Sequence, residues 1–431
     1  MNLEISYNSS SYKLNDLANH TLVTEYRTRE EKGKFIDTIA VAAIGSNSEK
    51  MEVLENLGYY SELSELQHEI DIPKLYLIRE IDTISRRAEI YKISLIYKPE
   101  TMDLLLRSSP EVTLEITRGV WEDKNIDVLY LQRPDQSESS DDWVDLWNVH
   151  DSGRYNYVFI DPNSKSNSYP APIELQIRNN SSTTPNTILI TCSDEAIEAP
   201  YHVLEAENAT GGTIKPSTPD TNSYSSGYYS EISITTTKSV VLTWTLSGSQ
   251  LALLKGIPFA LWLRPSSLIP SGVHLQVRLE TNGVLVSETP TIIARGTEEI
   301  FELGTLLIPN LNRYALSNTP DDYNLELYAW GSETTIDIDY LELVPYKYGY
   351  RKISIGGTNF GQDQILTLSE VENIAYLSNT ELISNPLVVF GTPIMVPPHC
   401  TPVLYFKVLG STLPITQSIS VKAIYRGRYV L

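Results

Sequence analysis

Cysteine is almost missing from this chain. Only Cys192 and Cys400 occur in 431 residues, too few for a disulfide framework or a zinc ribbon. Basic residues are also scarce: 33 Lys and Arg face 54 Asp and Glu, a formal charge of −21. A balance of that sign disfavours a sequence-independent grip on nucleic acid or on an anionic membrane, and no Lys/Arg run offers a local exception. No apolar run approaches the roughly 18 residues that span a bilayer. The opening MNLEISYNSSSYKLND has neither the basic start nor the apolar stretch of a secretory signal. These absences predict a soluble protein made in the cytoplasm, with no membrane insertion and no sequence-specific nucleic-acid partner.

Catalytic signatures are missing too. The six histidines form no HExxH or HxH pairing, and there is no GxSxG, no GxxxxGK[ST] and no GxGxxG after a strand. The glycines of ISIGGTNFG (353–361) read as turn residues. His399 and Cys400 are neighbours in VPPHCTPV, but adjacent strand residues point to opposite faces, which argues against a Cys–His couple. The expectation is that the protein is not an enzyme.

What is plentiful is alternation. Tyr (27) far outnumbers Phe (7), and period-two runs such as KLYLIREI (74–81), VTLEITRGVW (112–121), VHLQVRLETNG (273–283) and VLYFKVLG (403–410) recur between Pro, Gly, Asn and Ser clusters. Tyr joins apolar area to a polar tip and suits half-wet strands and interfaces. The pattern predicts a mainly β protein of sandwiches or barrels. One stretch breaks it: in NSEKMEVLENLGYYSELSELQHEID, Met51, Leu54, Leu57, Leu63, Leu66 and Ile70 fall at helical spacing. This predicts a helix over about 47–70, capped at Asn47 or Ser48 and stopped by Pro73. A shorter helix is predicted at LSEVENIAYLSN (368–379).

A length of 431 residues suggests roughly two to four domains. The polar punctuation at 133–142, 161–172, 198–203 and 344–352 divides the chain. It predicts a first β-sandwich unit at 1–165, a compact β block at 200–346, and strands at 171–199 and 347–431. Two strands at 171–199 are too few to stand alone, so they are expected to pair with the C-terminal strands. That makes the 200–346 block an insertion within a discontinuous second sandwich.

Two pairs of acids are the most pointed chemistry. YHVLEAENAT (201–210) carries Glu205 and Glu207, and TIDIDYLELVPY (335–346) carries Asp337 and Asp339, each pair on one face if the strands alternate. Two such acids meet the needs of glycoside hydrolysis. Four converging acids instead call for a cation, and oxygen ligands suit Ca²⁺. The remaining reading is that they simply face water.

Several motifs occur in a telling order. YHVLEAENAT, SSGYYSEISI (225–234), SVVLTWTLSG (239–248), FALWLRP (259–265) and TTIDIDYLELVPY (334–346) together resemble the galactose-binding-like jelly roll of carbohydrate-binding modules. That resemblance covers about a third of the chain and implies a structural calcium ion held by Glu205, Glu207 and Asp339, with Asp337 the less secure ligand. It also implies sugar binding by loop aromatics, for which Trp330, Tyr228, Tyr229 and Tyr224 are the candidates.

The flanks carry a second resemblance. PKLYLIREIDTISRRAEIYKISLIYKPE (73–100), PAPIELQIRN (170–179), and VVFGTPIMVPPHCTPVLYFKVLG (388–410) with the closing AIYRGRYVL look like the tube-like sandwiches of tailed-bacteriophage distal tail and baseplate proteins. The resemblance implies a structural virion protein with an inserted jelly roll. It would assemble in the host cytoplasm into a ring, a hexamer or else a trimer, on the tail tube and beside other tail-tip proteins. The jelly roll would then touch a host-surface glycan or a neighbouring subunit. The alternative is a bacterial carbohydrate-binding protein or the ancillary module of a glycoside-active enzyme.

Overall fold

Alternation becomes strand almost throughout. The computed structural model describes residues 2–70, 72–97, 110–147, 156–165, 167–182, 184–194, 202–216, 227–246, 256–298, 300–309, 323–355, 360–379, 382–410 and 418–429. Among these residues the protein is mainly β, with one α-helix, and it divides into two units. The first unit gathers Met1–Asp127, Ser166–Tyr169 and Arg426–Leu431; the second gathers Val128–Lys165 and Pro170–Tyr425.

In the first unit an antiparallel sheet runs in the order Ser10–Lys13, Asn2–Tyr7, Leu75–Ile81, Ile84–Tyr97, Glu111–Arg118, Lys34–Ala43 and Thr21–Glu31. The helix Asn47–Leu66 covers it. Its N-cap is Ser46, one residue before the expected caps, because Ser46 and Glu49 complete a reciprocal capping box. Its buried stripe is Val53, Leu57, Tyr60 and Leu63. Met51, Leu66 and Ile70, expected on that stripe, are exposed instead. Polar contacts explain the rotation. Ser64 accepts from the Ile93 amide (2.9 Å), Ser61 donates to the Ile93 carbonyl (2.8 Å) and Gln67 donates to the Ile90 carbonyl (2.7 Å). The Ile84–Tyr97 strand shifts register between Ile90 and Lys92, and the helix satisfies the backbone groups there.

A buried ion pair organises the same sheet. Arg118 donates to Asp37 across 2.6 Å, and both side chains are fully buried. Asp37 also accepts from Tyr26 (3.0 Å) and Thr28 (2.8 Å), while the guanidinium lies 4.3 Å from the centroid of the Trp121 ring.

In the second unit, strand pairing crosses a large interval of sequence. Ala171–Asn179 pairs with Ile365–Ser369, Met395–Val396 and Ser418–Tyr425. Pro185–Asp194 pairs with Tyr350–Ser354 and Pro402–Gly410. Every strand neighbour of these two segments therefore comes from after residue 346, and together they form a carrier sandwich over a shared apolar core.

Strands expected in the first unit also lie here. Val144–Trp147 pairs with Ser418–Tyr425, and Tyr157–Ile160 pairs with Pro402–Gly410. The first unit thus ends near Asp127 rather than at 165. The chain end likewise departs from the expected 347–431 segment, since Arg428–Tyr429 pairs with Trp121–Asp123 of the first unit. The predicted helix at 368–379 is also overturned. The segment forms a hairpin, Ile365–Ser369 with Ile374–Asn379, turning through Asn373 at φ 57°. Its apolar residues, read at helical spacing, are better served by pairing in the sheet, where Leu366, Leu368, Ala375 and Leu377 enter the core.

Between Asp194 and Lys347 the chain builds two facing sheets. One contains Thr213–Pro216, Tyr228–Ile234, Thr334–Pro345, Pro258–Pro265 and Phe301–Leu307; the other contains Ser239–Leu246, Tyr323–Trp330, His274–Thr281 and Val284–Glu288. Their inner faces share a core that includes Trp244, Phe259, Leu275 and Leu325.

Replacing Asp37 by Asn is expected to leave Arg118 buried without its counter-charge, at a cost of about 3–5 kcal/mol. Urea unfolding would show this as a lower midpoint, and an unchanged midpoint would refute the assignment.

Candidate functional site

The inserted sandwich leaves and returns to its carrier at one place. Lys347 pairs with Asp194 at 2.9 Å, the Tyr348 amide donates to the Cys192 carbonyl (2.9 Å) and the Cys192 amide donates to the Gly349 carbonyl (3.0 Å). Gly349 has φ 129°, and a Cβ there would come within 2.3 Å of the Pro393 carbonyl oxygen, so only glycine fits this crossing.

Above it the two sandwiches share an apolar contact of Ala260, Trp262 and Val344 against Leu189, Tyr350, Val403 and Tyr405. At its centre Lys407 of the carrier donates to Glu342 of the insertion across 2.6 Å, with side chains 2% and 1% exposed. Tyr405 donates to the other Glu342 oxygen. Trp262 and Tyr405 have ring centroids 5.3 Å apart, and the Lys407 ammonium lies over Trp262 and Tyr340. Sequence reading missed this pair, because Glu342 and Lys407 alternate with the core residues Leu341, Leu343, Phe406 and Val408 and so read as ordinary outward-facing charges.

The expected calcium ligands gather at one sheet of the insertion. Glu205 ends the strand His202–Glu205 and pairs in register with Tyr340. The chain then enters a 3-10 turn, Ala206–Asn208, so Glu207 does not continue the strand and the assumed alternation stops. On the partner strand, Arg264 faces Tyr340 but Pro265 faces Ile338. The skipped residue is Asp339, a bulge that switches the alternation and buries its side chain completely. Asp337, before the bulge, is half-buried and accepts from Ser267 at 2.9 Å. Ile338 and Leu341 both enter the core, so Asp339 stands outside the plain alternation that the spacing assumed.

Burial holds the Tyr340 hydroxyl well above its usual pKa; Glu342, Asp339 and Glu205 push the same way, and Arg264 opposes them. Among the described residues, no group of three or more His, Cys, Asp or Glu side chains is arranged to hold a metal ion.

The expected sugar-binding aromatics are divided. Tyr228 and Tyr229 are consecutive on Tyr228–Ile234, hence on opposite faces of one sheet, with Tyr228 49% exposed. Trp330 lies in the other sheet, at the end of Tyr323–Trp330. Tyr224 lies outside the described residues. Trp330 stacks on its cross-strand partner His274, with centroids 5.0 Å apart and planes 12° from parallel, and Lys238 lies over the ring.

A cleft of about 810 Å³ opens between the insertion and its carrier. Ile292, Ile293 and Arg295 line it from the insertion, and Thr187 and Lys352 from the carrier. Glu302, which also lines it, accepts from both Lys352 and Tyr350.

No known protein family matches the chain, and neither does any curated protein. Among solved structures it is similar to the Dit protein of phage SPP1, presented as a paradigm of the hub adsorption apparatus in phages that infect Gram-positive bacteria. The identity is 8% over 99% of both chains, with a TM-score of 0.27. Infectious bursal disease virus, Gx strain, matches at 9% identity over 81% of both chains and a TM-score of 0.16. Latent PorU of Porphyromonas gingivalis matches at 9% over 77% of this chain and 29% of that one, with a TM-score of 0.11. Scores this low establish no shared fold, and no function is carried over from them.

Two measurements probe this region. If Glu205, Glu207 and Asp339 hold a calcium ion, EDTA is expected to lower the melting temperature by several degrees and Ca²⁺ to restore it. An unchanged melting temperature in Glu207→Ala and Asp339→Ala would dispose of the site. Glu342→Gln, which removes the counter-charge of buried Lys407, is expected to cost about 3–5 kcal/mol. Double-mutant analysis with Lys407→Met should recover much of that loss, and strict additivity would show that the two do not interact.

Proposed function

We propose that the protein is a structural component of a bacteriophage tail tip, of the distal-tail or baseplate type. In this reading the first unit and the carrier sandwich build a ring at the end of the tail tube. The inserted jelly roll is displayed for contact with a host-surface glycan or a neighbouring subunit. The observation that carries the reading is the interrupted carrier sandwich. Ala171–Asn179 and Pro185–Asp194 take all their strand partners from beyond the insertion, the arrangement implied by flanking tail-protein motifs around a binding-type block.

Physical chemistry supports the same reading. A sandwich that closes with distant strands tolerates a large excursion at one loop, because loop-closure entropy grows only slowly with length. The insertion is then fixed by Glu342 and Lys407 rather than left on a flexible tether. Heterologous interfaces that close on themselves make rings, and Tyr-rich alternating strands provide half-polar area for them. The −21 charge suits a wall that repels passing DNA rather than gripping it.

Mass photometry and negative-stain imaging of the purified protein test the proposal. Ring-shaped particles of about six copies, or three, are expected. A strict monomer at micromolar concentration that cleaves polysaccharide would sink it and favour a carbohydrate-active protein.

A further inference from the structure

The strand His274–Thr281 ends in an apolar tip. It turns through Asn282 and Gly283, whose φ angles of 49° and 74° suit a two-residue hairpin, and returns as Val284–Glu288. Val284 stands opposite Thr281 and Leu285 opposite Glu280, so their side chains take opposite faces of the tip. They are 63% and 46% exposed, and neither joins the core of the insertion. Thr281, Asn282 and Gly283 carry no charge. A lone exposed aliphatic side chain is ordinary, but two on one projecting turn make a knob.

The other end of the same strand meets the cleft. His274 pairs with Ile293 and Leu275 with Ile292, and both isoleucines line the cleft together with Ile300. Ile293 is 54% exposed. The ionic groups of the lining answer one another: Arg295 lies 3.9 Å from Glu298, and Lys352 is bonded to Glu302. A lining balanced in this way selects neither an anion nor a cation. An uncharged aliphatic tip fits it, because it covers the isoleucines and leaves both ion pairs intact.

Knob and cleft cannot meet within one molecule. Seven strand steps separate His274 from Thr281, roughly 23 Å at about 3.3 Å each. Tyr323–Trp330 holds that strand in register from end to end, so it acts as a stiff strut. The occupant therefore comes from another molecule, and the same tip on a second copy has the matching polarity. Glu280, at the base of the tip, makes no ion pair among the described residues. On docking it would approach the cleft mouth, where the Arg295 side chain is 86% exposed and only loosely paired.

We propose that the Asn282–Leu285 tip of one copy seats in the cleft of a second copy, linking insertions head to tail. A cleft of about 810 Å³ accepts a turn and two aliphatic side chains but not a folded domain. The contact is heterologous: each copy offers a tip at one end of the strut and a cleft at the other, so repetition gives a closed ring or an open filament. A tip this small binds weakly by itself and gains strength only through repetition around an assembly. The inference rests on the neighbouring-subunit part of the reading above and names the surfaces that would meet.

Cross-linking of the full-length protein tests the contact even if it is weak. In a Cys400→Ser background, Leu285→Cys marks the tip and Ile293→Cys the cleft, both at exposed positions. Treated with a short bismaleimide at micromolar concentration, an equimolar mixture of the two variants is expected to give a covalent dimer. Neither variant alone should do so, and a chain carrying both changes should give a ladder of multimers. Adding Val284→Asp to the tip variant should cut the mixed dimer by at least about tenfold without altering the melting temperature. No mixed dimer, equal cross-linking of either variant alone, or indifference to Val284→Asp overturns the proposal. Rings seen by imaging without the mixed dimer would overturn it and leave the ring reading standing. A ladder that grows without closing would keep this contact and count against the ring.

Discussion

A single buried ion pair sets the geometry on which the second unit depends. Glu342 and Lys407 meet at 2.6 Å with almost no exposure, one from the last long strand of the insertion and one from the carrier. Removing two charges from water costs several kcal/mol per ion, and their attraction only roughly returns it. The pair therefore adds little net stability over a well-packed apolar contact. What it adds is orientation. Apolar patches such as Trp262, Val344 and Leu189 tolerate sliding, whereas a lysine and a glutamate shut away from water permit one register. Tyr405 takes the second carboxylate oxygen, so a shifted arrangement would leave several polar groups unsatisfied together.

That constraint reaches the cleft. Its walls come from two sandwiches, and a groove between two bodies keeps its shape only if they do not swing. The Lys347–Asp194 pair and the crowded Gly349 crossing fix the two connecting strands, while Glu302, bonded to Lys352 and Tyr350, ties one wall to the other. Burial first, then the Glu302 carboxylate, raises the Tyr350 pKa, so the phenol stays protonated and remains a donor. A binding surface assembled this way is preorganised, which lowers the entropy lost on association.

The sequence made some of these features legible and concealed others for definable reasons. Period-two runs marked the strands correctly, because one-sided burial imposes that period. The same rule misled at Asp337 and Asp339, where a bulge at Asp339 inverts the alternation, and at Glu205 and Glu207, where a 3-10 turn begins between them. Bulges have no clear composition signature, so pairing two acids by spacing assumed a flat strand. The helix was found, but its buried face was not, since Ser61, Ser64 and Gln67 turn toward the sheet to bond the Ile84–Tyr97 backbone. Short apolar spacing at 368–379 fitted helix and hairpin alike, and only neighbouring strands distant in sequence settle which forms. Glu342 and Lys407 read as outward charges between the core residues Leu341, Leu343, Phe406 and Val408, and nothing in a linear sequence brings two such outer faces together.

The acids and the aromatics also fare differently. Glu205, Glu207 and Asp339 draw attention in the sequence because like charges cluster there. In the structure the bulged Asp339 is buried and Glu205 is paired in register with Tyr340, beside the buried Arg264. Trp330 is one of the aromatics singled out in the sequence, and sheet register places it between His274 and Lys238. An aromatic–cation ladder needs only repeated cross-strand neighbours, which an unbroken register supplies. Between His274–Thr281 and Tyr323–Trp330 the pairing runs from His274 opposite Trp330 to Thr281 opposite Tyr323 without a shift.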